Sequence, residues 1–135
     1  MAMITTGIKD LCAAAEAEIV TLSAEEAIAL VEDPEVQIVD IRDIRELWRD
    51  GSVPGAMHVP RGLLEFWVDP ASPYHKETFA SGKRFVFFCA GGMRSALATQ
   101  TVQRMGLAPV AHIGGGFAAW KEAGGPVAEV QPKKP

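Results

Sequence analysis

A chain of 135 residues, 48% hydrophobic and 22% charged, has the length of one compact domain and a composition that builds a core rather than a disordered chain. Its formal charge of −4 excludes a basic field for nucleic acid or an anionic membrane, so any anionic substrate must be held by local donors. Cys12 and Cys89 are too few for a disulfide framework, and neither has a Cys or His partner at metal-ligand spacing.

The first twenty residues carry Lys9 among the acidic Asp10, Glu16 and Glu18 and lack the apolar core of an export signal. No apolar run approaches the roughly 20 residues that span a bilayer. The expectation is a soluble protein of the reducing cytoplasm, without nucleic-acid or membrane partners.

Residues 8 to 19, IKDLCAAAEAEI, place Ile8, Leu11, Ala15 and Ile19 at helical spacing and predict an N-terminal helix packed on the outside of the domain. Ser23 followed by Glu26 is a capping-box pattern opening a second helix, which buries Ala27, Leu30 and Val31 and stops before Pro34. Val36 to Ile41, VQIVDI, reads as a strand buried on both faces. Asp40 is its exception. A carboxylate there needs hydrogen-bonding or cationic partners, with Arg42 and loop amides as candidates, and organising the loop is its simplest role.

IRELWRDG predicts a short helix closed by Gly51, and Pro54-Gly55 turns the chain into a second short strand. Residues 61 to 84 lack a clean period and read as a loop with one or two helical turns; Arg61, Phe66 and Trp67 are candidates to line a site. Phe85 to Phe88 is the central strand. SALATQTVQRMG is a helix ending at Gly106, with Leu97, Ala98, Thr101, Val102 and Met105 on its apolar face. Val110 to Ile113 is a further strand, and FAAWKEAGG a last helix presenting Phe117 and Trp120 to the core. The chain divides into an N-terminal helical extension (1–19), a domain (20–128) and a polar, frayed tail (129–135).

Alternating strands and helices give an α/β fold, a mainly parallel sheet of about five strands with helices on both faces. Ligands of such sheets bind at the carboxyl ends of the strands, and Cys89 sits at one. From Cys89 the sequence continues Ala90, Gly91, Gly92, Met93, Arg94, Ser95 into a helix. The glycines let the backbone bend its amides inward around the sulfur, and the helix start adds unpaired N–H groups and the positive end of its dipole. A negative sulfur collects such hydrogen bonds and a neutral one does not, so the pattern points to a nucleophile rather than a buried core cysteine. Arg94 holds an anionic substrate or braces the loop, and Ser95 is read as the N-cap. His58, His75 and His112 are dispersed and read as surface or core residues.

Four blocks in register, IVDIRD with Glu46, GSVPGAMHVP, CAGGMRS and GGFAAWKEAGGPV, make the chain from about Ile19 to Val127 resemble the rhodanese-like family of single-domain sulfurtransferases. Ser52 stands where that family usually has histidine, with no expected effect on chemistry. The resemblance implies that Cys89 takes the outer sulfur of a donor such as thiosulfate, becomes a persulfide, and passes the sulfur to cyanide, a thiol or a protein acceptor. The loop from Ala90 to Ser95 binds the sulfur, and no metal or organic cofactor takes part. Related phosphatases and arsenate reductases place five residues between Cys and Arg; here four intervene, Ala90 to Met93, a tighter loop suited to one sulfur atom. Two alternatives stay open: such a phosphatase or reductase, and a non-catalytic or regulatory module docking a partner on surfaces such as Leu64 to Trp67. Cys12 is read as a plain helix residue, and the N-terminal helix as a natural element for a homodimer.

Overall fold

The structure is a computed structural model and describes residues 3–133; the first two residues and the last two of the expected tail lie outside the described residues. Five strands, β1 (Val20–Leu22), β2 (Val36–Asp40), β3 (Met57–His58), β4 (Arg84–Phe88) and β5 (Val110–Ile113), form one sheet in the order β1-β5-β4-β2-β3. Every pairing is parallel. The sheet is therefore wholly parallel. β1 is the strand that periodicity does not reveal, because three residues are too short for a pattern and its parallel pairing with β5 is what defines it.

Among the described residues six helices accompany the strands: α1 (Ile8–Glu18), α2 (Ala24–Ile28), α3 (Ile44–Asp50), α4 (Leu64–Val68), α5 (Met93–Arg104) and α6 (Gly116–Glu122). Two 3-10 turns, Arg61–Leu63 and Glu77–Ala80, complete the irregular stretch before β4. β4 shows why its sequence reads as a continuous apolar run. Phe85 and Phe87 enter one core with Leu64, Val68, Ala98 and Val102, while Val86 and Phe88 enter the other with Ala27, Phe117 and Trp120. Alternate side chains meet helices on both faces, so no position is left for a polar residue.

The capping box at Ser23 forms as expected, but α2 stops at Ile28, and Leu30 and Val31 pack half-buried from the turn that follows. α3 closes on Gly51 at φ 79°. Two expected stripes differ from those observed. α1 buries Cys12 and Ala15 while Ile8 and Leu11 stay exposed, because α1 packs on α5 rather than on the sheet, and the small residues allow that close approach. α5, in turn, leaves Met105 exposed and buries Ser95, Ala96, Ala98, Thr99 and Val102. Polar contacts at the far end fasten the pair: Gln100 and Arg104 to the Glu18 carboxylate, Gln103 to its carbonyl.

Candidate active site

Cys89 follows the last residue of the central strand and is 1% exposed. Its sulfur accepts hydrogen bonds from Gly92 N at 3.2 Å and Ser95 N at 3.3 Å. Gly92 has φ 107°, and a Cβ there would come within 3.2 Å of Gly115 N. A glycine is needed both for the left-handed turn and for the space. Ser95 is the third residue of α5, not its N-cap; that position belongs to Gly92. Its N–H is one of the donors that a helix start leaves without an intrahelical partner, and the sulfur takes it.

A second helix holds the loop from behind. Phe117 N donates to Cys89 O at 2.8 Å and Ala118 N to Ala90 O at 3.1 Å, so the first turn of α6 clamps the loop carbonyls. With these carbonyls turned toward α6, amides further along the loop face the sulfur. Gly116, the last of the three glycines before Phe117, permits this contact: a Cβ there would lie 2.5 Å from Cys89 O.

Ser95 Oγ accepts from the Cys89 thiol at 3.6 Å and lies 2.9 Å from His112 Nδ1. His112 is fully buried in β5, and its Nε2 is 3.1 Å from Thr21 Oγ1 and 3.9 Å from Glu16 Oε1. Burial holds the imidazole below its ordinary pKa, with Glu16 opposing the shift. The sequence separates His112 from the loop; the adjacency of β5 and β4 joins them. The legible signal was a polar residue inside the apolar run VAHI, the same signal that singled out Asp40.

Arg94 braces the loop, through a carboxylate on another helix rather than through loop carbonyls. Its Nη1 and Nη2 each bond the Glu46 carboxylate at 2.9 Å, a bidentate brace from α3 onto the loop. The guanidinium holds the Glu46 carboxyl below its usual range, and Glu46 raises Arg94 in return. Asp40 is fully buried with Arg42, which bonds it through Nε at 3.0 Å, Nη2 at 2.8 Å and its own amide at 3.1 Å. Ser52 Oγ donates to the same carboxylate at 2.7 Å. The position where the resemblance departs thus completes a buried polar network beside the loop. Arg42 also reaches Gly51 O and stacks 4.4 Å from the Phe117 ring, tying α3 to the helix that clamps Cys89.

Arg61 pairs with Glu65, while Phe66 and Trp67 line a cavity with Leu63, Tyr74, His75 and Lys76. None of the three lines the cavity at Cys89, which is formed by Ile8, Cys89, Gly91, Met93, Arg94 and Leu97 and holds about 410 Å³. Ile8, which the sequence marks only as an apolar position of the N-terminal helix, is one of its walls. Cys12 donates to Met93 O at 3.7 Å, and burial, Glu16 and Cys89 together hold its thiol above the ordinary value. Among the described residues no cluster of side chains is suited to a metal ion, and no helix is long and apolar enough to cross a membrane.

The fold is a wholly parallel α/β sheet that carries a cysteine in a backbone-amide cradle at its carboxyl edge. Residues 23–123 match the model of the rhodanese-like domain, and the chain belongs to that family. It is similar to the thiosulfate sulfurtransferase GlpE of Shewanella oneidensis, 30% identical over 102 residues that cover 76% of this chain and 92% of that one. It is 27% identical to the mouse thiosulfate sulfurtransferase/rhodanese-like domain-containing protein 3 over 97 residues, 68% of this chain and 62% of that protein. Among solved structures it resembles a Rhodopseudomonas palustris protein described as of unknown function and a possible tyrosine phosphatase, with a TM-score of 0.91 and 55% identity over 95% of this chain and 98% of that one.

Proposed function

We propose that the protein is a sulfurtransferase that carries sulfane sulfur as a persulfide on Cys89. The observation that carries this reading is the pair of amides, Gly92 N and Ser95 N, bonded to the sulfur inside a loop that leaves four residues between Cys89 and Arg94. The Cys89 thiolate attacks the outer sulfur of thiosulfate, the S–S bond of the donor breaks, and sulfite leaves with the electron pair. Cyanide or an acceptor thiolate then attacks the terminal sulfur and restores the Cys89 thiolate. The same two amides stabilise the charged sulfur at each stage, and two half-reactions through a covalent intermediate give ping-pong kinetics.

The similarity to a protein described as a possible tyrosine phosphatase favours a second reading, phosphoryl transfer. Against it, the Arg94 guanidinium that would clamp a phosphate is bidentate to Glu46. Intact-protein mass spectrometry separates the two. Thiosulfate is expected to add one sulfur atom to Cys89, cyanide to remove it, and Cys89→Ser to abolish both. Aryl phosphate hydrolysis that depends on Cys89 and Arg94, without a persulfide, would replace this reading with the second.

A further inference from the structure

The cavity beside α4 is separate from the one at Cys89 and larger, about 610 Å³ against about 410 Å³, with no residue lining both. Its walls come from one stretch of chain folded back on itself. Leu63 precedes α4, Phe66 and Trp67 lie on it, and the loop from Pro73 to Lys76 returns across them. Two donors to a single carbonyl hold that return: His75 Nδ1 lies 3.0 Å and Lys76 N 2.9 Å from Trp67 O. Tyr74 N donates to Ser72 Oγ at 3.1 Å and His75 N to Ser72 O at 3.2 Å, so the wall that carries the tyrosine is preformed. Phe66 and Tyr74 belong to neither core and are 54% and 65% exposed. Large rings held in water beside a half-buried indole contribute little to folding and form the contiguous apolar surface that marks a binding site. The polar element is Lys76. Its Nζ sits 5.0 Å from the centre of the Trp67 ring, and among the described residues it pairs with no carboxylate.

We infer that this cavity binds a free small molecule, a planar aromatic ring system bearing one carboxylate. The rings pack against Phe66, Trp67 and Tyr74, and the carboxylate pairs with the Lys76 ammonium, the only charged group in the wall. The volume falls within the roughly 300–1,000 Å³ of small-molecule sites, and the mostly apolar lining with few polar groups is their usual composition. Charge favours a small ligand over an acidic protein surface. The chain carries a formal charge of −4, and Glu65 and Asp69 stand in the same stretch, so an acidic partner spreading beyond the cavity meets repulsion while a single carboxylate meets Lys76. The inference stands whether or not Cys89 carries sulfur.

The test is titration of the isotope-labelled full chain with naphthoate, followed through its amide and indole NMR signals. The three tryptophans give three indole signals, and Trp67→Phe identifies the one at the cavity. Saturable shifts centred on Trp67, Tyr74 and Lys76 are expected, with the loop at Cys89 unmoved. Lys76→Gln is expected to weaken naphthoate about twofold to fivefold, the scale of one exposed ion pair, and to leave the uncharged analogue naphthalenemethanol unchanged. Tyr74→Ala removes an exposed ring without touching either core and is expected to weaken both probes, by roughly twofold to tenfold. No saturable shift at millimolar naphthoate, shifts centred on the Cys89 loop, or equal loss of both probes in Lys76→Gln would each overturn the inference. A peptide of alternating glutamate and phenylalanine that binds here more tightly than naphthoate would also overturn it, by giving the surface to a protein partner.

Discussion

Ser95 Oγ stands between the Cys89 sulfur, at 3.6 Å, and His112 Nδ1, at 2.9 Å, so the candidate nucleophile and a buried imidazole share one hydroxyl. Ser95→Ala keeps the Ser95 amide on the sulfur but leaves a fully buried ring nitrogen without its partner. Orphaning such a group costs about 1–3 kcal/mol, and urea unfolding of the variant is expected to register a loss of that size. A variant as stable as the parent would mean that the hydroxyl does not hold the ring.

The same ring makes stability depend on pH. Its folded-state pKa lies below the ordinary 6.5, chiefly because burial penalises the imidazolium. As pH falls through about 6.5 the unfolded chain takes up a proton that the folded chain does not, so stability declines, and the decline ends once pH is below the folded value. Glu46, depressed by Arg94 from its ordinary 4.5, acts in a more acidic window, where stability present above that value is lost as pH falls through the folded one. The urea midpoint is therefore expected to drop between about pH 7.5 and pH 5.5, and His112→Gln to flatten that drop while keeping the acid limb. An equally steep drop in His112→Gln would assign the effect to another group.

Removing the carboxylate of Asp40 strands Arg42, a guanidinium only 1% exposed whose charge is otherwise met by Asp40. Breaking a buried pair on one side costs about 3–5 kcal/mol, far more than an exposed ion pair contributes. Asp40→Ala is expected to lose that much in urea unfolding. A loss under about 1 kcal/mol would mean that water reaches Arg42 and replaces the carboxylate.

Gly116→Ala tests whether the helical clamp shapes the loop. The new Cβ would lie 2.5 Å from Cys89 O and 2.7 Å from Ala90 O at φ +61°, so backbone must move. The Phe117 N and Ala118 N bonds to the loop weaken and the sulfur loses aligned donors. The persulfidation rate is expected to fall by roughly tenfold or more, the scale of one misaligned donor in a preorganised anion site. Wild-type rates in a folded Gly116→Ala protein would show that the loop holds its shape without α6.

The parallel sheet, the central strand, the loop with its glycines and the Asp40–Arg42 pair were legible in the sequence because each rests on residues close together in the chain. Asp40 announced itself as a carboxylate in an apolar strand, and its main partner was two residues away. His112 carried the same kind of signal, but its partner Ser95 is brought to it by the pairing of β5 with β4. Glu46 stood in a recognised block without a role, since nothing local connects it to Arg94 across the site. β1 and the face that α1 buries were illegible for a related reason: three residues carry no period, and a helix that packs on another helix through small residues leaves its larger apolar ones outside.

By itself the sequence determined the family, the nucleophile candidate and the four-residue spacing between Cys89 and Arg94, all of which are properties of consecutive residues. Only the tertiary structure decided what surrounds that sulfur: α6 behind the loop, Glu46 on Arg94, His112 behind Ser95 and Ile8 at the mouth. These contacts join segments far apart in the chain, and whether two such segments touch depends on how strands order and helices pack, which no single segment encodes.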